Sequence, residues 1–171
     1  MDRSSFTLDL GAIRRNAATL LRAAEGAELW AVVKADGYGH GAVDVSRAAL
    51  AAGARALCVT TVREALALRG ERALDDAAIL VLGPVSDHDV ADARSASLQL
   101  VVGGGPVPED VPVHLKLDTG MGRWGLSELP SPGRDVVGVM SHLAAAESDA
   151  EFTALQIDRF RKATADLDDA L

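Results

Sequence analysis

The sequence predicts an α/β protein built on a parallel sheet, closed or open. Three observations carry this. Apolar runs with cores at residues 29–33, 56–59, 78–82, 98–102, 113–117 and 136–141 recur along the 171 residues. They are continuously apolar instead of alternating, as strands are when both faces are covered. Alanine-rich stretches lie between them, and several runs end in polar residues and glycine, at the strand ends where such folds gather ligands.

The elements follow in order. Residues 4–10 alternate weakly and read as a short strand. Asp9 stands where it caps the next helix, on which Ile13, Ala17, Leu20, Leu21 and Ala24 share a face. After Gly26 the strand–loop–helix pattern begins, with helices expected over 42–52, 62–69 and 87–93. Thr61-Val62-Arg63-Glu64 is a capping box opening the second of these. The segment Gly103-Gly104-Gly105-Pro106-Val107-Pro108-Glu109-Asp110-Val111-Pro112 cannot form an ordinary crossover helix, so the unit between the fourth and fifth strands is shortened. Residues 126–134, which contain Pro130 and Pro132, look shortened too. Residues 151–171 read as a helix offering Phe152, Leu155, Phe160, Ala163 and Leu167 for packing.

Composition narrows the function classes. Hydrophobic residues make up 49% of the chain, which favours a folded domain with a real core. Lys plus Arg is 17 against 25 Asp plus Glu, a net charge of -8 that argues against a nucleic-acid partner. A few local cations can still bind a phosphate on an acidic protein. The single cysteine, Cys58, lies in an apolar run and fits buried packing in a reducing compartment. No secretory leader is visible, and no stretch approaches the roughly 18 apolar residues of a membrane span. A soluble, cytoplasmic protein without membrane or metal is expected.

The chemistry concentrates at three strand ends. The run Val33-Lys34-Ala35-Asp36-Gly37-Tyr38-Gly39-His40-Gly41 takes a buried strand through one lysine into a glycine-rich loop. A lysine there is paired, deprotonated or covalently engaged, or else snorkels out to solvent. The second run is His114-Leu115-Lys116-Leu117-Asp118-Thr119-Gly120-Met121-Gly122-Arg123-Trp124-Gly125, and the third is Ser141-His142-Leu143-Ala144. Arg123 leaves a Gly-Met-Gly turn, where small neighbours let a ligand approach and a guanidinium fork can grip its oxygens. Lys116 and Asp118 are placed for an ion pair on one strand face. His40 reads as a hydrogen bonder that fixes its loop, and His88 and His114 as structural or solvent-facing.

These three segments, in this order, resemble the amino-terminal half of alanine racemase, a pyridoxal-phosphate (PLP) enzyme. The similarity runs from about Phe6 to about Arg161. It implies a (β/α)8 TIM-type barrel, incomplete here with about six strands, and residues 1–171 as a partial PLP-binding domain lacking the rest of the barrel and a carboxy-terminal β-domain. It also implies Lys34 as the attachment lysine and one of two opposed bases, with Tyr38 on the cofactor phosphate. Arg123 would meet the substrate carboxylate and the cofactor's phenolic oxygen, and His142 would lie against the cofactor ring. Lys116 matches a lysine that is carbamylated in many relatives. The implied reaction interconverts L- and D-alanine to supply D-alanine for peptidoglycan, in a homodimer. Other readings are a racemase for another amino acid such as serine, or a non-catalytic PLP carrier on a related barrel. Tyr38 is the only tyrosine, and its position does not match the family's second base. The isolated chain is therefore expected to be inactive.

Overall fold

The first helix begins where the sequence supplies a cap. Asp9 Oδ1 accepts the Ala12 N–H at 3.0 Å, and α1, Leu10–Ala23, follows. The computed structural model describes residues 6–167. Within them residues 6–9 form no strand, which corrects the strand expected over 4–10: the chain runs straight into the Asp9 cap and Leu10 is already helical. Ser4 and Ser5 lie outside the described residues.

The chain divides into two compact units, Met1–Val85 and Ser86–Leu171. In the first, β1 (Trp30–Val32), β2 (Ala56–Val59) and β3 (Ala78–Val81) pair in parallel and in chain order, with Trp30 opposite Ala56 and Ala56 opposite Ala78. Every residue of β2 is buried, as a strand flanked on both edges and both faces must be. Helix α2 (Ala42–Ala51) returns the chain from β1 to β2, and α1 lies against it. Helix α3 (Val62–Arg69) and a single 3-10 turn (Arg72–Leu74) lead from β2 to β3. The Arg69 guanidinium locks that turn, donating from Nη1 to the carbonyls of Leu74, Asp75 and Ala77 at 3.1, 2.6 and 2.9 Å. The core here is Leu57, Val59, Leu68, Leu74, Ile79 and Val81.

The second unit opens with α4 (Asp87–Ser95), whose own capping box joins Ser86 and Asp89. Strands β4 (Gln99–Val102), β5 (Val113–Lys116) and β6 (Val136–Met140) are again parallel and in chain order, with a bulge between Val113 and His114. Residues 103–112 hold no helix, as their glycines and prolines require. Arg94 ties this loop down by donating to the carbonyls of Glu109 and Asp110 at 2.6 and 3.2 Å. Helix α5, Ala150–Ala163, is capped by Asp149 and ends before the expected 171; residues 168–171 lie outside the described residues. No helix among the described residues is long and apolar enough to cross a membrane.

Candidate functional site

Each unit presents one set of candidate residues at the carboxyl ends of its strands. In the first unit, the Val33 N–H still donates to Cys58 O at 2.8 Å, so the sheet holds the backbone right up to Lys34. Lys34 itself is half-buried. The chain then coils with the opposite hand. Ala35, Asp36, Gly37 and Tyr38 have φ of 50, 53, 63 and 56° with ψ between 36 and 50°. Left-handed backbone costs about 1–2 kcal/mol for each residue bearing a Cβ, so the Gly-rich segment is a strained left-handed turn, not a slack loop.

The turn is fastened at several points. The Gly37 N–H donates to Val33 O at 2.9 Å, and Asp36 Oδ1 accepts the Ala42 N–H at 2.8 Å, where α2 begins. His40 Nδ1 lies 3.1 Å from the carbonyls of both Gly37 and Tyr38, the loop-fixing role expected of it. Gly37 is required twice over, by its positive φ and because a Cβ there would stand 3.3 Å from the Ala42 backbone. Tyr38 is left 59% exposed. Among the described residues, the Lys34 amine has neither a hydrogen-bond nor an ion-pair partner. Burial pushes the neighbouring Cys58 thiol up to about 11, which keeps it protonated and inert.

Glu64 belongs to the same region. One carboxylate oxygen accepts the N–H groups of Thr60 and Thr61 at 2.8 and 3.0 Å, and the other accepts the Ala35 N–H at 2.7 Å. Burial favours the neutral acid, but the donors from Ala35, Thr60 and Thr61 outweigh it and hold Glu64 below the ordinary carboxyl value. The capping box was legible in the sequence; the reach to Ala35 was not.

In the second unit Lys116 ends β5 and is only 8% exposed. Its Nζ donates to the carbonyls of Arg123 and Trp124 at 3.0 and 2.5 Å and lies 5.2 Å from the Trp124 ring centroid. The expected Lys116–Asp118 pair is replaced by this arrangement. Asp118 turns instead to the loop, accepting the N–H groups of Gly120 and Gly122 at 2.9 and 3.1 Å. Burial first, then the nearby Arg123 charge, pull Lys116 below the usual lysine range, while Asp118 opposes them. Trp124 packs over Gly103, where a Cβ would come within 2.9 Å of the ring. Arg123 is exposed.

His142 is exposed at the end of β6, and its backbone is held from α5. Gln156, fully buried, donates from Nε2 to His142 O at 3.0 Å and to Thr119 Oγ1 at 3.1 Å, while its Oε1 accepts the Ala144 N–H at 2.9 Å. Thr119 Oγ1 lies 2.8 Å from Ser141 Oγ, which donates to Leu117 O at 2.8 Å. Arg159 adds a bond to Thr119 O at 2.9 Å. One buried amide thus joins the loop before Arg123 to the segment carrying His142. An open cleft of about 460 Å³ alongside is lined by Asp118, Thr119, Gly120, Gly122, Ser127 and Arg159, among others, but by neither Arg123 nor His142. His114, two residues before Lys116, pairs with Gln99 and is structural, as expected; His88 faces solvent beside Asp92.

Residues 8–171 match the model of the alanine racemase N-terminal domain. The chain is 40% identical to the alanine racemase of Symbiobacterium thermophilum, over 94% of this chain and 48% of the relative. It is 42% identical to that of Beutenbergia cavernae, over 95% of this chain and 49% of the relative. The structure of the alanine racemase from Streptomyces coelicolor superposes with a TM-score of 0.80 at 37% identity, covering 92% of this chain and 49% of that one. The chain therefore spans about half the length of the relatives it matches. With three parallel strands in each unit, the fold matches an incomplete (β/α)8-type barrel, and the chain belongs to the alanine racemase N-terminal domain family.

Proposed function

We propose that this chain supplies the lysine-bearing part of a cytoplasmic, PLP-dependent alanine racemase, which interconverts L- and D-alanine and provides D-alanine for peptidoglycan. The observation that carries the reading is Lys34: a half-buried amine at the end of β1, without a protein partner among the described residues, rooted in a rigid turn. An amine so placed suits covalent attachment of an aldehyde, and the polar groups nearby in sequence and at the other strand ends match the rest of the cofactor.

When bound, PLP supplies an electron sink for the pair left behind as the substrate α-carbon loses its proton. Lys34 Nζ would hold the cofactor, and its amine is the group that would take or return a proton on one face of that carbon. The exposed Tyr38 hydroxyl would donate to the phosphate. Arg123 offers its guanidinium fork to the substrate carboxylate and to the phenolic oxygen. The His142 ring would pack against the cofactor ring. Lys116, with its amine pulled toward the neutral form, is the residue we assign to carbamylation: its nitrogen adds to CO2 and loses a proton, and the resulting anion orients Arg123. The base for the opposite face is not Tyr38, which is committed to the attachment turn. It comes from the remainder of the whole protein, across a homodimer.

The test is incubation with PLP, borohydride reduction and peptide mass mapping. A pyridoxyl group confined to Lys34, and absent from Lys34→Ala, is expected. Labelling scattered over the lysines, or none at all, would remove the basis of the reading.

A further inference from the structure

We propose that Glu64 is the positioning residue of the Lys34 turn, a role that rests on the reading of Lys34 as the attachment lysine. A capping-box glutamate needs only its own helix: one oxygen returned to the N–H at the cap. Glu64 does this with Thr60 and Thr61. Its second oxygen reaches 29 residues back along the chain to the Ala35 N–H, at 2.7 Å. The other fastenings of the turn named above, through Val33, Asp36 and His40, run within it or to the helix that follows it. Glu64 ties the turn to the neighbouring βα unit, and through Thr60 and Thr61 to the end of β2.

The geometry reaches Lys34 through the peptide bond. The Ala35 N–H lies in one rigid plane with the Lys34 carbonyl and the Lys34 Cα. Fixing that hydrogen fixes the tilt of the plane, and with it the root from which the lysine side chain extends. The bond is charge-assisted, since the acceptor is a carboxylate, and is stronger than a neutral bond to the same donor. A left-handed run persists only where surrounding contacts over-determine it, and this contact acts at its first residue. Glu64 touches neither cofactor nor substrate; it acts by setting where Lys34 starts.

Two substitutions separate positioning from simple capping. Glu64→Gln keeps the side chain's shape but replaces one oxygen by an NH2, which cannot accept from Ala35 and from the Thr60–Thr61 pair at once. Thr61→Ala removes the capping hydroxyl and leaves the Glu64–Ala35 bond in place. Both are expected to lower the unfolding temperature. Only Glu64→Gln is expected to slow formation of the borohydride-trapped Lys34 adduct, by about tenfold or more. A Glu64→Gln rate equal to wild type, or an equal slowing in Thr61→Ala, would overturn the proposal. A second readout needs neither the variants nor the cofactor: hydrogen exchange at the Ala35 amide of the wild-type protein. Protection of about a hundredfold or more over an unstructured amide is expected. Free exchange there overturns the role of Glu64, whereas a protected Ala35 in a protein that takes no PLP at Lys34 rejects the cofactor reading alone.

Discussion

His114 follows the bulge in β5 with its Nε2 2.8 Å from Gln99 Oε1 and its ring against Gly138, where a Cβ would stand 2.5 Å from Nδ1. An amide oxygen only accepts, so the ring donates from Nε2. Burial lowers its pKa below the ordinary 6.5. The unfolded chain therefore takes up this proton before the folded one does. Stability is at its full value above about 6.5 and declines as pH falls toward the folded value. Denaturant titrations from about pH 7.5 down to about 5.5 are expected to show a downward slope that is shallower in His114→Gln. An unchanged slope in the variant would mean that the ring takes its proton as readily folded as unfolded. At Glu64 the depressed value gives a different window: its contribution is present above about 4.5 and is lost below it.

At the scale of elements, α5 does more than cover the sheet. Its Gln156, itself fully buried, satisfies three backbone or hydroxyl groups from the ends of β5 and β6. Gln156→Leu would remove one partner each from Ala144 N–H, His142 O and Thr119 Oγ1. A loss of about 2–4 kcal/mol is expected, read from the denaturation midpoint. A loss below about 1 kcal/mol would mean that water enters and replaces the amide. Periodicity gave the strands and helices because local apolar pattern is what they bury. It located α5 by its apolar positions but passed over Gln156, whose partners lie 12 to 37 residues away. The same limit hid the second oxygen of Glu64. The glycines of 37, 39 and 41 announced an unusual backbone, yet its left-handed sense includes Ala35, Asp36 and Tyr38, whose types do not signal it. The expected strand cores run a residue beyond one or both ends of every strand but β2.

The whole molecule consists of two units that each set candidate residues at strand ends, Lys34 and Tyr38 in the first, Lys116, Arg123 and His142 in the second. The relatives are twice as long. Its one tyrosine lies in the Lys34 turn, so the proposed attachment lysine comes without a second tyrosine for the other face. Purified alone, the 171-residue chain is expected to leave L-alanine optically unchanged in the presence of PLP. Steady formation of D-alanine would show that a residue within these 171 serves the second face.

The turn that roots Lys34 also has a stereochemical consequence. Ala35 is exposed, with φ and ψ both at 50°, the mirror image of an ordinary helical residue. What is strained for an L-residue is the resting conformation of its enantiomer. A semisynthetic chain carrying D-alanine at position 35 would shed about 1–2 kcal/mol of backbone strain. The polypeptide that we read as part of a D-alanine-forming enzyme thus holds, beside its attachment lysine, a position whose backbone suits the enantiomer of the residue encoded there.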